Sequence, residues 1–303
     1  MTSRWKSRFH LVSFEPDQQE RSRRGIAEVL RELRRGAGLT GEDLAARCAT
    51  SQSKISRIET GKLLPSVTEV DRILKALNVP PDKASKLLEL ARAANVDYTS
   101  GRVIARMGLD HQQREVKAQI ESATVFRHFL PAMPPGFLQL RQYAEAVMTP
   151  VVPSAPRRDV NKAVRARIEM RSVLDDESRR FVLVMTEQAV RWNYAGAEIM
   201  AQQVAHMARE SRRPNVDLAV LSNATETPKA PVSIFKILYE RLVLVEMFNG
   251  NVSFRDPRDV TYYLELFEFF YDRALKGDDA IDFLEKVAEE FRDRSHVLGD
   301  QAR

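Results

Sequence analysis

The sequence predicts two folded parts, a small all-helical domain of five helices over residues 21–95 and a larger α+β domain over residues 113–303. Three observations predict this. A chain of 303 residues exceeds one small domain, at roughly 100 to 200 residues per domain. Apolar residues recur at helical steps in the N-terminal third, whereas runs rich in Val, Ile, Leu and Phe gather after residue 180. Charge divides the same way: residues 1–95 hold 18 Lys and Arg against 12 Asp and Glu, and residues 96–303 hold 29 against 30, so the net +5 comes from the N-terminal part. A basic module joined to a neutral one suits a nucleic-acid reader with a separate sensing or assembly domain, with a chance surface imbalance as the alternative.

Residues 1–20 carry Arg4, Lys6 and Arg8, then Glu15, Asp17 and Glu20, without an apolar period. They read as a basic arm, either an unstructured leader or a segment that reaches phosphates or a partner. From Ser22 the pattern turns helical: Ile26, Val29, Leu30 and Leu33 form one stripe, Arg23, Arg31, Arg34 and Arg35 are expected to be exposed, and Gly36 and Gly38 end the run. Thr40 is an N-cap candidate for a second helix, Gly41 to Cys48, with Leu44 and Ala45 inward and Glu42 and Asp43 at its positive end.

After a break at Ala49 and Thr50, Ser51 can cap a third helix, Ser51 to Glu59, which Gly61 closes. Ile55 and Ile58 mark its buried stripe. Gln52 and Ser56 share an outward face, as do Ser53 and Arg57. Two short helices joined by a tight turn, the second presenting amide, hydroxyl and cationic groups near its start, are what major-groove reading requires. Helices at Val67 to Leu77 and Asp82 to Ala93 complete the five.

The stretch Leu39 to Ser66, LTGEDLAARCATSQSKISRIETGKLLPS, resembles the Xre-type helix-turn-helix of phage repressors and many bacterial regulators. The resemblance implies that Gln52, Ser53 and Lys54 approach bases, that Ser56, Arg57 and Lys62 lie near base edges or phosphates, and that Thr40 belongs to the same DNA-facing set. Two positions depart from that family. Gly41 stands where a phosphate-holding glutamine is common, and Ala49 where the turn usually has glycine. A left-handed backbone there would cost alanine about 1 kcal/mol.

Residues 96–112 read as a polar connector or a short helix between the two domains. Beyond it, Ala123 to Phe129 is short and apolar, Pro131 to Gly136 is a break, and Leu138 to Met148 and Arg158 to Leu174 have helical spacing. Strands are predicted at Phe181 to Thr186, Val216 to Ser222, Ser233 to Tyr239 and Leu242 to Met247, with a helix-like Gly196 to Arg209 between the first two. Only Glu240 and Arg241 separate the last two strands, which predicts a hairpin. Helices at about Pro257 to Leu275 and Asp278 to Arg292 close the α+β domain.

Pro135-Gly136-Phe137-Leu138-Gln139 followed by Tyr143-Ala144 is similar to the PGLLQT-x-x-YA signature of the WhiJ-like, antitoxin-like regulators of actinomycetes. Arg165, Arg167, Leu174, Glu187 and Ile199 to Val204 follow that family's layout; Phe137 and Leu140 replace its usual leucine and threonine. The resemblance implies a homodimer on an approximately palindromic operator in double-stranded DNA, and a C-terminal domain that binds a small partner protein encoded nearby. The alternative is an antitoxin-like protein-binding factor with weak or no specific DNA binding. A metabolite effector would require a concave apolar pocket with a few convergent polar groups.

Other chemistries find little support. No apolar run nears the roughly 18 residues of a membrane span, and MTSRWKSRFHLVSF lacks the apolar core of a secretory signal, so a cytoplasmic protein is expected. Cys48, the single cysteine, has no internal disulfide partner and reads as a small buried hydrophobe rather than a redox sensor. The five histidines form neither HExxH nor a Cys/His cluster, and P-loop, nucleophile-elbow and dinucleotide signatures are missing. No metal, cofactor or catalytic residue is therefore expected, and an enzyme is disfavoured. Glu265, Glu268 and Asp272 read as a solvated stripe, and Glu187 with Arg191 as a structural pair. Tyr262, Tyr263, Phe267, Phe269, Phe270 and Tyr271 crowd one helix as core against a sheet, with an oligomer interface as the alternative. His128 and His206 are isolated.

Overall fold

A computed structural model of the chain describes residues 16–152 and 159–301. The chain divides into two compact units between Asp97 and Tyr98.

The first unit holds α1 (Pro16–Gly36), α2 (Gly41–Arg47), α3 (Gln52–Glu59), α4 (Val67–Ala76) and α5 (Pro81–Ala94). Helix α1 already includes Pro16, so residues 16–20 of the expected arm are helical; Arg4, Lys6 and Arg8 lie outside the described residues. Ile26, Leu30, Leu44, Ile55, Ile58, Val70 and Leu74 are buried together in one core. Each short helix is defined by its caps. The Ser66 hydroxyl accepts from the Glu69 amide while the Glu69 carboxylate accepts from the Ser66 amide, a reciprocal box that starts α4.

The second unit is built on a seven-stranded mixed sheet of β1 (Val96–Ser100, of which Tyr98 to Ser100 belong to this unit), β2 (Val125–Leu130), β3 (Arg180–Thr186), β4 (Val216–Leu221), β5 (Ile234–Leu238), β6 (Leu242–Met247) and β7 (Gly250–Phe254). Their order is β1-β7-β6-β5-β2-β3-β4. β2, β3 and β4 run parallel; β5, β6 and β7 form an antiparallel meander that joins β2 through β5. The predicted hairpin is β5–β6: Leu238 pairs with Leu242, and Tyr239 and Glu240 turn the chain at φ 57° and 51°. Left-handed angles at both central positions suit the twist of a hairpin.

The helices of this unit are α6 (Gly101–Met107), α7 (Leu109–Ser122), α8 (Arg141–Met148), α9 (Val160–Glu169), α10 (Glu187–Arg191), α11 (Ala197–Glu210), α12 (Pro257–Tyr271) and α13 (Gly277–Gln301). Alternation along the strands sends Phe126, Phe181, Leu183 and Leu218 into a core with α11 and α13, and sends Phe129, Val184, Phe235 and Val243 into a second core with Phe267 and Phe270 of α12. The unit is thus a helix-covered sheet, the expected α+β class.

Two expected segments are defined more closely. Residues 96–112, expected as a connector or a short helix, form β1, α6 and the start of α7. The Tyr98 hydroxyl and the Gly101 amide both donate to the Asn249 carbonyl, at 3.0 and 2.5 Å. A Cβ on Gly250 would lie 2.3 Å from the Thr99 carbonyl oxygen, so this close approach requires glycine. The segment expected as a helix from Arg158 to Leu174 is α9 followed by a tighter 3-10 turn, Met170–Asp175; Arg158 is outside the described residues. The apolar stretch from Ala123 is the inner strand β2, and β7 had no apolar run to announce it.

Candidate nucleic-acid interface

Thr40 begins α2 with a capping box: its hydroxyl accepts from the Asp43 amide at 3.1 Å, and Asp43 Oδ2 accepts from the Thr40 amide and hydroxyl at 2.9 and 2.6 Å. These bonds hold the Asp43 carboxyl below its usual range. The helix ends in a Schellman arrangement, with the Thr50 amide on the Ala45 carbonyl and the Ala49 amide on that of Ala46. Ala49 takes φ 46°, so the left-handed turn exists despite its methyl group.

Ser51 then caps α3, its hydroxyl accepting from the Lys54 amide at 3.3 Å. Ile55 and Ile58 are buried, and Gln52, Ser53, Ser56 and Arg57 are exposed. Lys62 is exposed in the loop that follows, and Gly61 makes the turn at φ 71°. A Cβ on Gly41 would sit 3.7 Å from Gln52 Nε2, so the Gln52 amide lies across the start of α2. Lys54 is only partly exposed and is ion-paired with Glu69 of α4. It is a braced cation, unlike its neighbours on the outward face.

Sequence reasoning misplaced Arg34. It is not an exposed cation, because its guanidinium grips buried Glu59 through Nε and Nη2 at 2.7 and 2.8 Å and donates from Nη1 to the Leu39 carbonyl at 2.7 Å. This bond to Glu59 raises the Arg34 pKa. The fork ties α1 to the end of α3 and fixes the helix whose outward groups are at issue. The signal was an acidic residue at the buried stripe's edge, beside Ile58. Cys48 is buried, and burial pushes its thiol pKa up.

The second unit accounts for the other residues singled out. Glu187 pairs with Arg191, which also binds Glu290, while Glu187 accepts from Ser222 and from the Asn223 amide at 3.0 and 2.8 Å. On α12, Phe267 and Phe270 are core, and Tyr262 is exposed. Glu265, Glu268 and Asp272 are exposed, with Glu268 3.6 Å from Arg127. Among the described residues no group of His, Cys, Asp and Glu is arranged to hold a metal ion, and no helix is long and apolar enough to cross a membrane.

Comparison with known proteins bears on both units. A helix-turn-helix domain model matches residues 26–87, so the first unit is a helix-turn-helix domain. No curated protein matches the chain. Similar solved structures include Nuc, a phospholipase D family member from Salmonella typhimurium (13% identity, TM-score 0.32, covering 55% of this chain and 90% of that one). NucT from Helicobacter pylori has 8% identity and a TM-score of 0.34 over 60% of this chain and 98% of its own. TrmBL2, an archaeal chromatin protein, has 13% identity and a TM-score of 0.32 over 68% and 66%. Likenesses this loose bear on neither fold nor function. The family described as Domain of unknown function (DUF5753) matches residues 113–286, more than half of the chain, and the protein therefore belongs to that family.

Proposed function

We propose that the protein is a non-enzymatic, sequence-specific transcription regulator of Xre type and of the WhiJ-like, antitoxin-like kind. It binds an approximately palindromic operator as a cytoplasmic homodimer, with reading helices on the order of 34 Å apart. The observation that carries the reading is α3: a firmly capped helix of a helix-turn-helix domain whose outward face offers Gln52, Ser53, Ser56 and Arg57 free of the core. Gln52 suits adenine and Arg57 suits guanine or phosphate, while the serines adapt to either. Lys54, held in place by its ion pair with Glu69, brings donor N–H groups near the bases, and Thr40 and Lys62 flank the phosphates. The second unit receives a small partner protein or ligand that shifts DNA affinity.

One observation favours the alternative, an antitoxin-like factor with little specific DNA binding. Asp43 occupies both the amide and the hydroxyl of Thr40, placing a carboxylate at the start of α2, where Gly41 supplies no side chain to hold a phosphate.

Binding of the purified full chain to DNA from its own upstream region, across a salt series, separates the two. The regulator reading expects specific binding that weakens with salt, with Gln52→Ala losing about 1 to 3 kcal/mol of sequence discrimination and Arg57→Ala also weakened. Weak and equal binding of wild type and both variants to any duplex would overturn it.

A further inference from the structure

In the second unit, a cavity of about 220 Å³ opens between the sheet and α7, α8 and α9. Ile120, Phe126, Leu130, Phe137 and Met170 form apolar walls. Three charged side chains and a histidine reach the same space from distant parts of the chain: Arg167, Lys236, Glu246 and His128.

Strand pairing explains the convergence. His128 of β2 stands opposite Lys236 of β5, and Glu246 of β6 stands opposite Ile234, so all three project on one face. Lys236 is ion-paired with Glu246. Burial works against the charge on Glu246, but the Lys236 ammonium brings its pKa down to about 2. That pair is neutral as a whole.

Arg167 is different. Nε donates to Gln113 Oε1 and Nη1 to Gln139 Oε1, both at 2.7 Å, and no carboxylate among the described residues is ion-paired with it. Its positive charge is held by two neutral amides and, at longer range, by Glu246, which is already ion-paired with Lys236. It retains some accessible surface and lines the cavity, and burial lowers its pKa to about 10. The Pro-Gly-Phe-Leu-Gln segment builds the seat: a Cβ on Gly136 would lie 3.0 Å from Arg167 Cδ and Nη1, and Gln139 is itself fixed by donating to the Pro134 carbonyl at 2.9 Å.

His128 is 4% exposed, and neither ring nitrogen has a hydrogen-bond partner among the described residues. Burial and the neighbouring Lys236 drive its pKa well down, so the ring is neutral, with one donor and one acceptor unused. A buried polar group left in this way is destabilising unless something in the cavity meets it.

We propose that this cavity binds a small monocarboxylic acid with an aromatic or branched apolar body. The carboxylate pairs with the free edge of Arg167, the body lies among Phe126, Phe137 and Met170, and His128 meets a second polar atom. One unpaired positive charge calls for a monoanion. That this acid is the regulator's effector rests on the function proposed above, whereas the binding site does not.

The test is calorimetry on the purified full chain without DNA, so its outcome is independent of DNA binding. The probes are phenylacetate, the neutral isostere phenylacetamide, and inorganic phosphate. Phenylacetate is expected to bind at least about tenfold tighter than the other two, with Arg167→Met losing at least about tenfold and His128→Phe changing affinity less. Equal affinity for acid and amide, phosphate binding as tight as phenylacetate, or no phenylacetate binding to wild type overturns the proposal. The isostere comparison uses wild type alone, so it decides the matter even if Arg167→Met does not fold.

Discussion

At Ala49 a single methyl group sets a cost that the rest of the turn sustains. The residue sits at φ 46°, a region that disfavours non-glycine residues by about 1 kcal/mol. It persists because the amides of Ala49 and Thr50 close the end of α2. Ala49→Gly removes the strain but frees the unfolded chain by about 0.5 kcal/mol, so a net gain of about 0.5 kcal/mol is expected. Native-state hydrogen exchange at the Ile55 and Ile58 amides checks this: slower exchange supports it, and faster exchange shows that the turn prefers alanine. Asn78 makes the same kind of turn after α4 at φ 50°, with a residue type that tolerates it better.

Between elements, the fork from Arg34 to Glu59 joins α1 to α3 with side chains only 14% and 8% exposed. Removing one partner leaves an uncompensated charge in the core. Arg34→Met should therefore cost about 3 kcal/mol, and adding Glu59→Leu should recover most of it. Urea denaturation of the full chain measures both, and a double variant no better than the single one would show that the pair acts only by filling space. This contact also marks what could be read from the sequence. Caps and periodic stripes are local, so Thr40, Ser51, Ile55, Ile58 and Gly61 disclosed α2 and α3 directly. Strands β3 to β6 announced themselves as apolar runs. Strand β2 showed only as a short apolar stretch that Arg127 and His128 interrupt, and β7 was not legible, because Gly250, Asn251 and Ser253 carry no strand signal. Pairings across the fold were unreadable for the same reason: Arg34 and Glu59, or His128, Arg167, Lys236 and Glu246, are brought together only by tertiary register. Isolated in sequence, His128 looked inert.

Across the whole molecule, the two units should respond differently to mild acid. The five histidines are His10, His111, His128, His206 and His296, so residues 16–97 contain none. In the second unit, His128 is held well below the ordinary histidine value by burial and then Lys236, and His206 is brought to about 4 by burial and then Arg171. Both rings are neutral when folded and take up protons on unfolding once the pH drops below about 6.5. A depressed histidine pKa means that the unfolded state binds more protons, so stability is full above the unfolded pKa and falls with pH toward the folded one. For His206 the loss runs from about 6.5 to about 4. The lowered carboxyls of the first unit, Asp43 and Glu69, add their own loss only below the ordinary carboxylate range. Hydrogen exchange across pH 7 to 5 should therefore show the slow amides of β2, β3 and α11 losing protection while those of α3 and α4 hold theirs, after correction for intrinsic exchange. His128→Phe should flatten part of that dependence by removing one titrating group. Equal loss in both units would mean that histidine burial is not what limits the second unit's stability in acid.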